Sequence, residues 1–354
     1  MAKLHRVGLL TPFTVNRPLT RQEKQHHYRQ GRVKKHEGEA AVIDFETVIT
    51  MNSSYLEVVD NNYANLGQVS SLLMVFEIMI ITLIIAIIIN AALIPILIVS
   101  VMFIPLLILF GKFLLMEWFR KTHYPVRFNR KEQLVHVYQT NNDIITVGWR
   151  DIYFSTYEFQ RNYCLVGHLL DNDNETVLNT FGFGHTGSKL ALDHYWEFIR
   201  CYMEEDCLKE LADTVILCPP IAQKKESYTF GLQYIVRMDS RLEWPFAVLM
   251  FPIHLMESIA RTIAMKTSKI PQWSQDVLDA CIVSPDDPIN VNAEKNPQNL
   301  WQYVLANEKI EVYQPRYDRQ ESANLRIREK LENKRKSLRD RDGQAEKPPG
   351  WRSS

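Results

Sequence analysis

One stretch breaks the ordinary mixture of polar and apolar positions along this chain. From Ser71 to Gly111 the only charged residue is Glu77, and the rest is almost entirely Leu, Ile, Val, Met, Phe and Ala. A single helix of that length would reach roughly 60 Å, about twice the hydrocarbon thickness of a bilayer. The segment must therefore fold back, and Asn90-Ala91-Ala92-Leu93-Ile94-Pro95 is the place to break it, because proline is tolerated at a helix start but not in its interior. This predicts one helix over 71–90 and a second over 93–117, within a transmembrane hairpin spanning 70–118. Neither helix has the polar stripe that a buried pair in a soluble core would show.

After the hairpin the pattern shortens to strands. Pro125–Asn129, Leu134–Tyr138, Ile144–Trp149, Ile152–Phe154, Cys164–Leu170 and Thr176–Phe181 follow one another at hairpin spacing, with polar turns such as Asn141-Asn142-Asp143 and Asp171-Asn172-Asp173-Asn174 between them. A helix is then predicted from Ser188, where Leu192, Tyr195, Trp196, Ile199 and Met203 share one face. The fold class expected is an α+β membrane protein: a transmembrane helical hairpin, then a small antiparallel β domain over 119–206 closed by an amphipathic helix. A small curved sheet plugged by one helix is also how pleckstrin-homology-like domains are built, and this order of elements resembles theirs.

Three other regions complete the division. Residues 1–69 form a basic N-terminal arm with one strand-like stretch, Ala41–Ile49. Residues 207–318 are mixed. Within them, Tyr228–Val236 reads as a strand or a short helix. A helix near 252–265 places Ile253, Met256, Ala260 and Ile263 on one face, with Glu257, Ser258 and Arg261 elsewhere. It suits either the membrane interface or packing on the soluble domain. Residues 319–354 are dense in both charges and predict a solvated helix that frays into a disordered tail near Pro348-Pro349.

Charge matters through its placement. Lys plus Arg and Asp plus Glu each number 41, so no net field points to nucleic acid. Locally, Lys112, Arg120, Lys121, Arg127, Arg130 and Lys131 face only Glu117 just after the second helix. Cation-rich flanks stay cytoplasmic, so both termini are expected there. Arg120, Lys121, Arg127, Arg130 and Lys131 are candidates to meet lipid headgroups. Glu77, roughly 10 Å into the first helix, is a candidate by virtue of being an intramembrane carboxylate, and a snorkelling interfacial acid is the plainer reading. No secretory leader is expected, since Met1–Arg21 holds no apolar core before Pro12.

Chemistry is sparse. Gly182-Phe183-Gly184-His185-Thr186-Gly187-Ser188-Lys189 approaches a phosphate loop, but the Gly-Ser-Lys order reverses the lysine and hydroxyl that such a loop needs. A strand-to-helix turn capped by Ser188 explains the same residues. Asp171–Glu175 resembles half a calcium loop without the central glycine or the glutamate at position 12. His26, His27 and His36 lack a partner cluster. The five cysteines show no C-x-x-C spacing. No G-x-S-x-G or H-E-x-x-H motif is present. No catalytic residue, cofactor or metal is expected, and a non-enzymatic role is.

Several local stretches carry a family resemblance. They are Tyr124-Pro125-Val126-Arg127-Phe128-Asn129-Arg130-Lys131, the following Val-x-Val-Tyr strand, Trp149-Arg150-Asp151-Ile152, Cys218-Pro219-Pro220, Phe230-Gly231-Leu232 and Trp244-Pro245. Over Ser71 to Pro288 the chain resembles an uncharacterised family of proteobacterial two-helix membrane proteins, a domain of unknown function. The resemblance implies a bacterial inner-membrane protein. It also implies a neighbourhood of type VI secretion components and effectors, and so an immunity or accessory factor binding a secreted effector or a secretion component. A membrane scaffold whose pleckstrin-homology-like domain senses lipid or peptide is the alternative. A transporter or enzyme is the third, and a proton flux through Glu77 would be its mark.

Overall fold

The structure, a computed structural model, describes residues 5–7, 11–32, 41–90, 93–115, 117–159, 162–238, 246–297 and 310–345. Near the N-terminus β1 (His5–Val7) pairs with β2 (Thr11–Phe13), followed by β3 (Arg17–Pro18) and α1 (Arg21–Gln25). Helix α1 starts at a capping box in which Thr20 and Glu23 satisfy each other's backbone amides. The next hairpin is β4 (Val48–Asn52) and β5 (Tyr55–Val58), its turn closed by Asn52, whose side chain accepts from the amides of Ser54 and Tyr55. The strand expected at Ala41–Ile49 is displaced to β4, because Phe45 and Glu46 sit in the left-handed region at φ 51° and 56° and turn the chain there.

A short helix, α2 (Asn61–Ala64), leads into α3 (Gln68–Asn90) and α4 (Leu93–Leu114). The chain then returns as β6 (Val126–Asn129), which pairs with β5 in the register Glu57↔Arg127. The helical hairpin is thus inserted between two neighbouring strands of one sheet, and part of the 1–69 arm belongs to that sheet. Strands β7 (Leu134–Tyr138) and β8 (Ile144–Gly148) extend it, and β12 (Asn290–Asn292) closes its other edge, in the order β12-β4-β5-β6-β7-β8. A second antiparallel sheet orders β3, β11 (Thr176–Thr186), β10 (Asn162–Leu170) and β9 (Ile152–Phe159).

Helix α5 (Lys189–Glu204) begins where expected, with Ser188 Oγ accepting from the Ala191 amide. Its Leu192, Tyr195, Trp196, Ile199 and Met203 are all buried. The Trp196 ring stacks on Trp149 at 5.6 Å, and Phe154 packs on both. Trp149 keeps its indole N–H satisfied at Glu204, 2.9 Å away. Each such aromatic contributes on the order of 1.5–3 kcal/mol of burial, which is why the two sheets and α5 share one core.

The remainder is helical: α6 (Leu208–Thr214), α7 (Tyr228–Met238), α8 (Phe246–Thr267), α9 (Gln275–Ala280) and α10 (Ile310–Ala345). The strand-or-helix ambiguity at Tyr228–Val236 resolves to helix. Helix α10 is less solvated than its composition suggests. Ala323, Ile327 and Leu331 recur at i, i+4 and i+8, and all three are buried where α10 packs on α6. Lys330 and Lys334 pair with Glu210 and Glu205 at 2.8 and 2.6 Å. The tail at Pro348-Pro349 lies outside the described residues.

Among the described residues two helices are long and apolar enough to cross a membrane, α3 and the Val248–Thr267 portion of α8; Val101–Leu114 of α4 is a shorter apolar stretch. Helix α3 packs on both α4 and α8. Of the two placements that the sequence left open for α8, domain packing holds for only part of the expected apolar face, with Ala260 buried. Its Ser258 and Arg261 are fully buried, while Ile253, Met256 and Ile259 are 44%, 41% and 46% exposed.

Candidate functional site

The densest polar chemistry lies where α3 leaves the domain. Gly67, at φ +97°, begins that exit, and a Cβ there would stand 2.8 Å from the Arg261 backbone, so α3 and α8 meet closely at a position only glycine fills. Arg261 uses the approach. Its Nη1 donates to the carbonyls of Tyr63 and Leu66 at 2.8 and 3.3 Å, at the end of α2 where the helical ladder runs out. Its Nε and Nη2 hold Glu226 in a two-pronged pair at 2.6 and 3.1 Å. The Tyr63 hydroxyl donates to the same carboxylate at 2.8 Å, and the guanidinium lies 4.5 and 4.8 Å from the ring centroids of Tyr63 and Tyr234. On the other strand of the hairpin, Glu117 follows α4 and accepts from the amide and hydroxyl of Ser70, in the first turn of α3. A carboxylate at a helix N-terminus is electrostatically well placed. These groups clamp the two ends of the hairpin to the domain.

Beside this clamp is a cleft of about 550 Å³ on the outer face of the six-stranded sheet. Strand register makes its floor. Thr50, Glu57 and Arg127 stand opposite one another on successive strands and line it, the same polar row running on past the cleft through His136 and Thr146, while Leu56, Phe128 and Val135 alternate into the core. Arg127 Nε donates to Glu57 Oε2 at 2.7 Å, and the Trp273 indole N–H reaches the same oxygen at 3.1 Å. The guanidinium lies over the rings of Tyr55 (4.3 Å) and Trp273 (4.8 Å). His123, also lining the cleft, is pushed down to about 3 by burial, and His136 down to about 4 by burial and by the nearby Arg127 charge. Both imidazoles are therefore neutral at pH 7. Lys224 and Glu294 lie at the cleft's border. The arrangement is an amphipathic groove: aromatic walls, one fixed ion pair and edges of either charge.

The residues singled out from sequence are dispersed by the fold. Glu77 sits against α4 at Gly111, where a Cβ would lie 3.9 Å from its carboxylate. Arg120 is exposed, and Lys121 is half-buried with its ammonium 5.5 Å from the Tyr138 ring. Arg127 is a correction: it is buried in the ion pair with Glu57 and does not face lipid. Alternation along β6 turns it onto the cleft floor. Arg130 is half-buried and donates to the carbonyl of Tyr202, while Lys131 is exposed in the following turn. Sequence reasoning missed Arg261 and Glu226, although an arginine inside an otherwise apolar helix is itself a signal of a buried partner. It also missed a group of lysines that the fold brings to Arg120. The Lys269 amide donates to the Arg120 carbonyl at 2.8 Å, the Thr122 amide donates to the Lys269 carbonyl at 3.0 Å, and Lys225 Nζ donates to the Lys266 carbonyl at 2.5 Å.

The near-motifs have structural roles. Gly182–Lys189 is the end of β11 and the cap of α5. Position 184 needs glycine, since its φ is +67° and a Cβ there would strike the Tyr195 ring, and Lys189 Nζ is hydrogen-bonded to His26 Nδ1 at 2.8 Å. Asp171–Glu175 is the β10–β11 turn, with Asp173 accepting from the amides of Glu175 and Thr176. All five cysteines are buried free thiols, and no group of metal-ligating side chains is found among the described residues.

A family model of unknown function, DUF6708, matches residues 102–285, just over half of the chain. The chain belongs to the DUF6708 family. The matched segment runs from within α4 to just after α9 and so contains β6–β11, α5, the clamp's Glu117, Glu226 and Arg261, and much of the cleft wall. Strands β4, β5 and β12, which complete the DUF6708 sheet in this chain, fall outside the match. No curated protein and no solved structure matches the chain.

Proposed function

We propose that this DUF6708 protein is a membrane-anchored binding protein, held in the bilayer by α3 and α4, with its cleft open to a partner in the adjoining aqueous phase. The observation behind it is the apolar surface of the hairpin. Leu72, Ile78, Ile89, Val101 and Met102 are 60–74% exposed. Soluble proteins rarely leave so continuous an apolar patch uncovered, and a bilayer is the solvent that suits it. The excess of cations at the hairpin base favours a cytoplasmic domain and cytoplasmic termini, in a bacterial inner membrane. The succession of four strands (β5–β8), three strands (β9–β11) and the closing α5 supports a pleckstrin-homology-like reading of the domain.

The cleft suits an extended peptide segment better than a small polar metabolite, since its walls are aromatic and its charged floor is already paired. A secreted effector or a secretion component is the partner that the family resemblance suggests. A scaffold that senses lipid or peptide through the same domain is the second reading, and the lysines beside α8 favour its lipid form.

Two experiments test the proposal on the full chain in a bacterial host. After an alkaline carbonate wash the protein remains with the membranes; recovery in the supernatant overturns the anchor. A photo-crosslinking residue at Gln272, in the cleft, yields a discrete adduct that Trp273→Ala abolishes, while the same probe at Leu178 yields none. Identical patterns at both positions overturn the role of the cleft.

A further inference from the structure

We propose that Arg120, Lys224, Lys225, Lys266 and Lys269 form a binding rim for anionic lipid headgroups around the foot of α3, α4 and α8. The inference rests on the membrane reading above and deepens it by naming the lipid class and the residues.

Three observations carry it. The first is convergence. The five cations come from three separate stretches of chain, which are brought together by the backbone bond from the Lys269 amide to the Arg120 carbonyl and by the Lys225 ammonium donating to the Lys266 carbonyl. All five side chains are exposed. The second is the state of the neighbouring acids. Glu117 and Glu226 are buried at 2% and 7% exposure and are engaged by Ser70 and by Arg261, so they do not screen the rim from outside. Glu294 is the one acid that shares the cleft border with Lys224.

The third observation sets the rim against a membrane rather than against water. Helix α8 turns large apolar side chains outward and buries its arginine, with the smaller Ala260 and Ala264 and Met265 beside it. Phe246, Val248, Leu249, Ile253, Met256 and Ile259 are exposed, whereas Ser258 and Arg261 are buried. Water would favour the opposite arrangement; hydrocarbon favours this one. The exposed apolar face of α8 is continuous with α3, on which it packs. It stops at Ile259, two turns before Lys266. The lysines therefore lie just past the end of an apolar surface, which is where phosphate groups begin. Near an anionic surface each such charge strengthens association roughly fivefold.

The test uses the full chain reconstituted in bilayers, with spin-labelled phosphatidylglycerol and spin-labelled phosphatidylcholine as probes. The wild-type protein is expected to show a motionally restricted lipid component with at least fivefold preference for phosphatidylglycerol, declining as salt is raised. K224Q/K225Q/K266Q/K269Q is expected to bring the preference close to one. K131Q/K209Q, which removes two cations away from the rim, is expected to leave it unchanged. Equal preference in the wild-type and four-fold variants overturns the rim. So does displacement of the labelled lipid by millimolar inorganic phosphate, because the site would then be for a soluble anion. Absence of any restricted component, even for phosphatidylcholine, means that the helices are not in the bilayer; that outcome overturns the membrane reading and the rim with it.

Discussion

Breaking the Arg261–Glu226 pair should loosen the whole foot of the hairpin. Both side chains are withdrawn from water, at 0% and 2% exposure. Replacing Arg261 with methionine keeps much of the volume but leaves Glu226 buried with the Tyr63 hydroxyl as its remaining donor, and it takes the guanidinium from the Tyr63 and Leu66 carbonyls, of which the first keeps the Leu66 amide. Removing one member of a buried pair typically destabilises by about 3–5 kcal/mol, because the other charge stays behind. Glu226→Gln should fall in the same range, since Arg261 then remains charged among Tyr63, Tyr234 and two carbonyls. Replacing both residues with methionine removes both buried charges and leaves the Leu66 carbonyl and the Tyr63 hydroxyl without their partners, at about 1–3 kcal/mol for each such group. The double variant should therefore be more stable than either single one. The assay is the apparent Tm of the full chain in detergent, followed by tryptophan fluorescence. At roughly 2–4 °C per kcal/mol, each single variant should melt about 10 °C lower. Strictly additive losses in the double variant, or single losses within 1–2 °C of roughly nothing, would refute the clamp.

Other consequences are checked the same way. Gly67→Ala should destabilise by at least about 1–2 kcal/mol from the left-handed backbone alone, and further through contact with Arg261; an unchanged Tm would contradict the close crossing of α3 and α8. His123 and His136 resist protonation in the folded chain, at about 3 and about 4. Because the unfolded chain takes up those protons near 6.5, both contribute stability that is present above that value and lost as the pH falls toward 4. H123Q/H136Q should accordingly show a shallower loss of Tm between pH 7.5 and 5 than the wild type, and parallel profiles would count against the burial argument. Arg127→Met leaves Glu57 buried against Trp273 alone and should release that indole, read as a red shift and increased quenching by acrylamide; an unaltered Trp signal would show that the cleft floor does not depend on the pair.

The parts of this fold that local pattern encodes were readable. The apolar run and its break at Asn90 to Pro95 marked α3 and α4 to within a few residues, and the Ser188 cap with its i, i+3, i+4 face marked α5. What local pattern does not encode is partnership across long separations. Strand β5 finds β6 across the entire hairpin, with Glu57 and Arg127 70 residues apart, so the segment before the helices looked like a detached arm. The same gap concealed the cleft. Arg127 read as a surface cation because its partner, Glu57, lies on the far side of the hairpin in sequence. Helix α8 was ambiguous for a different reason. Its amphipathic pattern suits the membrane interface and the soluble domain alike, and only the burial of Arg261 with Ile253, Met256 and Ile259 left exposed shows which face turns inward. The lysine rim was unreadable because it assembles from three segments that no sequence window contains together.

The central claim is that α3 and α4 carry the chain across a bilayer and back. The five native cysteines are all buried, so single cysteines introduced on the surface report cleanly in intact, inverted and permeabilised membranes. Asn90→Cys, at the far end of α3, and Lys131→Cys, in the domain, are labelled with a membrane-impermeant maleimide. The account predicts that they react from opposite faces, with Lys131→Cys accessible only from the cytoplasmic one. Labelling of both positions from the same face would contradict it.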